Sequence, residues 1–175
     1  MRRLSQRGFS MMEVLVTIAI LVFGLLGMVG LQLRATAMEL ESYQRAQALI
    51  LLQDMADRLS TNKANAASYV ASNVGASGVA QGDCNTITEV YKRDLCEWND
   101  QLVGAAEKSG SRNIGAMIGA RGCIANPSAD LYVITVAWQG LSATAKPAET
   151  CGAGAYGDDR QRRTTSMVVR VARLT

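Results

Sequence analysis

The chain has 175 residues, enough for one domain of ordinary size, and carries 18 basic and 15 acidic side chains but no histidine. Lacking the commonest general base and metal ligand, it is excluded from Ser-His-Asp and Cys-His hydrolysis and from any His-ligated metal site. Three of the basic residues, Arg2, Arg3 and Arg7, precede Gly8, and from Phe9 onward basic and acidic side chains balance. The positive excess therefore belongs to the N-terminus and does not describe a nucleic-acid surface.

From Phe9 to Leu33 a single charge, Glu13, interrupts an apolar run. About 20 apolar residues cross a bilayer, so the run is long enough to span one. The preceding arginines place the N-terminus in the cytoplasm and the remainder on the far side. The run is too long for the apolar core of a cleaved secretory signal. Glu13 needs a reason, because an ionisable group within a span is costly and usually has a partner. It lies only ~9 Å along a helix from Arg7, which allows partial solvation near the headgroups. The sharper reading supplies a cation at the same depth. A cut after Gly8 would create one, the α-amino group of Phe9, and Glu13 of a neighbouring subunit could pair with it.

The string R-G-F-S-M-M-E-V-L-V at Arg7–Val16 resembles the class III signal of type IV prepilins: a short basic leader, Gly, Phe, then Glu four residues on. The resemblance implies that a membrane peptidase cleaves between Gly8 and Phe9 and N-methylates Phe9. It also implies that Glu13 is the glutamate used in assembly, where a buried pair acts as a register device because an unpaired member is heavily penalised.

No proline occurs before Pro127, and the pattern from Phe9 to about Leu59 predicts one helix of around fifty residues. Gly24, Gly27 and Gly30 recur at a spacing that lets helices approach closely in lipid, at some cost in helix propensity. Beyond Leu33 the helix turns amphipathic. Ala48, Leu51, Leu52, Met55 and Leu59 form one stripe, expected to contact a globular head. Glu41–Arg45 and Asp54–Arg58 are i,i+4 pairs in the favourable order. The organisation is thus a leader over residues 1–8, a membrane and assembly half of the helix over 9–33, an amphipathic half over 34–62, and a periplasmic head over 63–175.

Within the head, residues 63–93 are rich in Ala, Ser, Asn and Gly and read as a connecting loop. Asp94–Lys108 carries Leu95, Trp98, Leu102, Ala105 and Ala106 at helical spacing, with Asp94 as its cap. Gly119–Ala125 reads as a short strand. Leu131–Gln139 alternates Tyr132, Ile134, Val136 and Trp138 on one face, and Thr164–Leu174 alternates Met167, Val169 and Val171 against Ser166, Val168 and Arg170. Such alternation predicts half-buried antiparallel strands. Cys84, Cys96, Cys123 and Cys151 form no C-x-x-C pair and, behind an export signal, read as two disulfides. Three pairings exist. Cys84–Cys96 with Cys123–Cys151 is favoured because it closes short, sequential loops, the second restraining the long Leu141–Arg163 connection. Arg160, Arg162, Arg163, Arg170 and Arg173 crowd the C-terminus. They read as outward strand residues that keep a sheet edge soluble, in preference to an anion or nucleic-acid site at Arg160, Arg162 and Arg163.

Further segments resemble one pilin family, the PilV or type IV pilus modification proteins: G-L-L-G-M-V-G-L-Q-L-R-A at Gly24–Ala35, D-M-A-D-R-L-S-T-N at Asp54–Asn62 followed by Tyr69, C-E-W-N-D-Q-L at Cys96–Leu102, G-C-I at Gly122–Ile124, and Y-V-I-T-V-A-W at Tyr132–Trp138. The resemblance implies an α+β, type IV pilin-like fold, with a long N-terminal helix on a small antiparallel sheet and a C-terminal disulfide loop. It implies a minor pilin that primes pilus assembly in a tip complex and supports adhesion and twitching motility. The expected partners are other minor pilins, the major pilin, a tip adhesin, the prepilin peptidase and the inner membrane. No catalytic residue, metal or cofactor is expected. A minor pseudopilin of a type II secretion system is the alternative. Four cysteines depart from the single C-terminal pair usual in major pilins.

Overall fold

The computed structural model describes residues 9–105, 108–110, 112–113 and 117–171. Residues 1–8, with Arg2, Arg3, Arg7 and Gly8, lie outside the described residues, as do Ala106, Arg173 and Leu174. The chain divides into two compact units, Met1–Leu40 and Glu41–Thr175.

Helix α1 runs Met11–Thr61 without a break, as the absence of proline allows. In the first unit every described side chain of α1 is exposed. Its apolar residues include Phe23, Leu25, Leu26 and Leu31, each more than 60% exposed.

In the second unit the helical stripe is buried. Ala48, Leu52, Met55 and Leu59 have no exposed surface, and they join Tyr69, Trp98, Leu102, Ile124, Ile134 and Val136 in one core. A four-stranded antiparallel sheet supplies the other side. Its strands are β1 (Ala71–Val74), β4 (Arg121–Ser128), β5 (Leu131–Gln139) and β6 (Arg162–Arg170), in that spatial order. A separate two-residue ladder joins β2 (Lys108–Ser109) to β3 (Arg112–Asn113) around Gly110. The period-two pattern of β5 places Tyr132, Ile134, Val136 and Trp138 inward, all buried. In β6 Met167 and Val169 pack against the core while Ser166, Val168 and Arg170 face out.

Several boundaries differ from the sequence reading. Residues 63–93 are not one loop. They hold a 3-10 segment at Lys63–Tyr69, strand β1, and a 3-10 turn at Cys84–Thr86. β1 has no hydrophobic alternation of its own. It exists because it pairs with β4, through a register shift between Ala71 and Val74 where Asn73 takes φ +56°. Helix α2 spans Val90–Leu102, with Glu89 in the capping position and no side-chain cap. Asp94 is therefore one turn inside the helix, where its carboxylate makes tertiary bonds instead of capping. β4 outlasts the expected Gly119–Ala125 strand, and its pairing with β5 slips between Ala125 and Ser128, the interval that holds Pro127. β6 begins two residues earlier than expected.

Gly122 fixes how closely α2 meets the sheet. A Cβ built there would fall within the Trp98 ring. Gly122→Ala should therefore destabilise the chain by about 3 kcal/mol through overpacking, measured by denaturant unfolding of the detergent-solubilised protein. Replacing Trp98 with Leu in the same chain should recover part of that loss, and a stability equal to wild type for Gly122→Ala alone would refute the contact.

Candidate functional site

The first turn of α1 is built around Ser10. Its Oγ accepts the Met12 backbone N–H at 3.3 Å, and its carbonyl accepts from Glu13 N at 3.0 Å. Ser10 and Glu13 thus occupy the first and last positions of an S-x-x-E capping pattern. A carboxylate in the first turn also complements the positive end of the helix dipole. The sequence reading did not use the spacing Ser10-Met11-Met12-Glu13, which puts Glu13 in this first turn. Phe9 beside it is 83% exposed, and Glu13 has no ion-pair partner among the described residues.

In the head, the segment C-E-W-N-D-Q-L is the knot of the structure. Cys96 is bonded to Cys84. Glu97 accepts from Arg58 of α1. Trp98 is fully buried and its indole N–H donates to the Leu51 carbonyl of α1 at 3.1 Å. Asn99 accepts from Gly75 N at 3.0 Å and donates to the Val79 carbonyl at 3.1 Å. Asp100 accepts from Gln81 N at 2.7 Å. The connection after β1 is pinned to α2 by the Asn99 and Asp100 side chains as well as by the disulfide.

Arg58 organises the polar edge of this knot. It reaches Asp54 at 2.9 Å, Asp94 at 3.0 Å and Glu97. Burial opposes its charge, but the bonds to Glu97, Asp54 and Asp94 outweigh that and hold its pKa above the ordinary value. Tyr69 donates to the other Asp94 oxygen and accepts from Asn62. Burial, with the Asp94 carboxylate beside it, pushes the Tyr69 hydroxyl up to about 12.

The C-terminal arginines fall into separate roles. Arg162 is 1% exposed, which corrects its reading as an outward strand residue or part of an anion site. Its guanidinium donates to the carbonyls of Glu149, Cys151 and Pro147 and pairs with Asp159. It thereby fills the loop that the Cys123–Cys151 disulfide closes. Arg163 pairs with Glu41 at 3.0 Å and also donates to Ser142 O and Thr144 Oγ1. Gly140 leaves room for it, since a Cβ there would come within 2.7 Å of the guanidinium carbon. Glu41 therefore pairs across the head and not with Arg45, as the i,i+4 spacing had suggested, whereas Asp54–Arg58 forms as expected. Arg160 is exposed and bound to Asp158. The three arginines do not converge on one surface. Tyr156 closes the loop by donating to Gly119 O at 2.9 Å, and burial raises its hydroxyl to about 12. Among the described residues there is no cluster of carboxylates and cysteines that could hold a metal.

Two family models match the chain. The prokaryotic N-terminal methylation motif covers residues 3–29. The model described as type IV pilin Tt1218 covers residues 30–100, from the second part of α1 through β1 to Asp100 of α2. No curated protein and no solved structure matches significantly. α1 is long and apolar enough to cross a membrane, and with the methylation motif at its start it is a membrane anchor.

The two late tyrosines give a test of this geometry. Ultraviolet titration should show two hydroxyls ionising near pH 12, and Tyr69→Phe should remove one. Their folded pKa values lie above the ordinary 10.0. The stability they contribute is therefore complete below pH 10 and is lost as pH rises toward 12. Two hydroxyls still ionising near pH 12 in Tyr69→Phe would contradict the Tyr69–Asp94 bond. The leader motif, the apolar anchor and the disulfide-held α+β head converge on a type IV pilin-like chain, matched by the two family models over residues 3–29 and 30–100.

Proposed function

We propose that this pilin is a minor subunit of the PilV kind, cleaved between Gly8 and Phe9, N-methylated on Phe9, and built into a priming or tip complex of a type IV pilus. The observation that carries the reading is the leader pattern: Gly8, Phe9 and Glu13 in register ahead of an apolar helix. The arginines before Gly8 set the orientation, leader in the cytoplasm and head in the periplasm until assembly carries it to the surface. The two disulfides suit an oxidising compartment. In the fibre Glu13 meets the Phe9 amino group of a neighbour. Its place in the first turn of α1 keeps it at a fixed depth in each subunit, so the pair selects one axial offset. The protein acts as a structural subunit and as the peptidase's substrate, and supports adhesion and twitching motility through the fibre it helps to start. The narrower PilV reading rests on the resemblance of the C-E-W-N-D-Q-L segment, five successive residues of which, Cys96–Asp100, hold separate parts of this head together.

Glu13→Ala should leave membrane insertion intact and lower recovery in sheared filaments by more than about tenfold, since an unpaired buried amino group is strongly penalised. Normal recovery would sink the pairing argument. Substitution of Gly8 by a bulky residue should leave only the full-length form on a denaturing gel, and a product of mature size would refute the cleavage site. Recovery of wild type from a secretion pseudopilus, and not from surface pili, would favour the type II reading.

A further inference from the structure

β6 is a sheet edge, and the arginines that seem to guard it are mostly engaged elsewhere. Among the described residues it pairs only with β5, over nine residues without a register slip. Two bonds fix which way its backbone groups point. Gly140 N donates to Gln161 O at 2.7 Å, and Val171 N donates to Asp130 O at 2.9 Å. Both pairs lie on the same antiparallel ladder and have the same parity. The hydrogen-bonded pairs therefore use residues 163, 165, 167 and 169 of β6, and Thr164, Ser166, Val168 and Arg170 turn their N–H and C=O groups to the open side. That row is roughly 20 Å long.

Natural sheet edges are usually blunted by charge, bulges or brevity. Here Arg162 is buried in the disulfide loop and Arg163 is bound to Glu41. Arg160 precedes the strand and pairs with Asp158. Arg170 alone stands at the open edge, and among the described residues no carboxylate pairs with it. Beside it Val168 is 61% exposed. On the inner face Met167 and Val169 are half-buried at the rim of the core. A strand laid along β6 would extend the sheet, cover Met167 and Val169 with its inward side chains, and meet Arg170 with an outward one.

We propose that the open edge of β6, from Thr164 to Arg170, is a strand-addition site for an extended segment of a different subunit, alternating apolar residues with polar ones and carrying an acidic residue opposite Arg170. Main-chain bonds supply affinity in such a site and the alternate side chains supply selectivity. A second copy of this chain fits less well. The strand R-R-T-T-S-M-V-V-R carries no acidic residue, so pairing β6 with itself leaves Arg170 unneutralised and brings like charges together.

The inference rests on the reading of the chain as an assembling pilin, and proline substitution separates the two. Val168→Pro removes an N–H that points to the open side, without taking a bond from β5, and proline is tolerated at such edge positions. Ser166→Pro also removes an open-side N–H, at the further loss of the Ser166 hydroxyl contact with Thr135 of β5, and serves if the first variant is unstable. Val168→Thr changes the side chain and keeps the N–H. Each full-length variant is expressed in the native host, checked for thermal stability after detergent extraction, and measured in sheared filaments. Val168→Pro should melt like wild type yet fall about tenfold in filament recovery, the effect of one lost hydrogen bond and its stranded acceptor. Val168→Thr should stay near wild type, and Arg170→Glu should fall as the proline variant does. Wild-type recovery of folded Val168→Pro overturns the site, as does an equal loss with Val168→Thr. Val168→Cys that forms a disulfide-linked homodimer in filaments assigns the edge to a second copy and overturns the acidic partner. Absence of the wild-type protein from filaments would instead remove the pilin reading beneath it.

Discussion

The indole of Trp98 is the point at which the head is held together. Its ring lies against Gly122 of the sheet, and its N–H reaches a backbone carbonyl of α1. A helix carbonyl that also accepts a tertiary bond ties α2 to one turn of α1, and the missing Cβ at position 122 ties it to one residue of the sheet. The surrounding residues elaborate that fixed point. Glu97 and Asp94 take Arg58 on one side, while Asn99 and Asp100 hold the chain after β1 on the other. Asn99, 2% exposed, spends both ends of its amide on the Gly75–Val79 stretch, so a segment with no hydrophobic pattern still has a defined path.

The second organising element is also polar. The loop between β5 and β6 is too long for a hairpin turn and has little apolar content. It is held by the Cys123–Cys151 bridge from outside and by the Arg162 guanidinium from within, which satisfies three loop carbonyls. Removing Arg162 would strand those carbonyls in a buried site, a larger penalty than the loss of a surface charge. Arg163, its neighbour in sequence, points to the other face of the sheet and meets Glu41. Alternation along a strand thus sends adjacent arginines to opposite tasks.

Patterned elements were legible in the sequence. The apolar run, the 48–59 stripe and the alternation of β5 each repeat a period that only one kind of element satisfies, and each lies where the pattern put it. The leader pattern was legible for a different reason, since its chemistry needs particular residues at fixed spacing. What the sequence left obscure depends on contacts between distant residues. β1 has only four residues and a positive φ at Asn73, and pairing with β4 decides it. The start of α2 was misplaced because Asp94, a good capping residue, is used by Arg58 and Tyr69. The arginine cluster looked like one feature because it is contiguous in sequence, and the fold disperses it. The Ser10–Glu13 spacing was a further local signal, marking where α1 begins.

The proposed function requires processing at Gly8 and entry into a fibre with Phe9 as the first residue. The mass of the N-terminal peptide, taken from sheared surface filaments and from membranes, tests it most directly. A peptide that begins at N-methylated Phe9 in the filaments is the predicted result. A chain that keeps Met1 and is confined to the membrane fraction would contradict it, and would leave Glu13 without a pairing role.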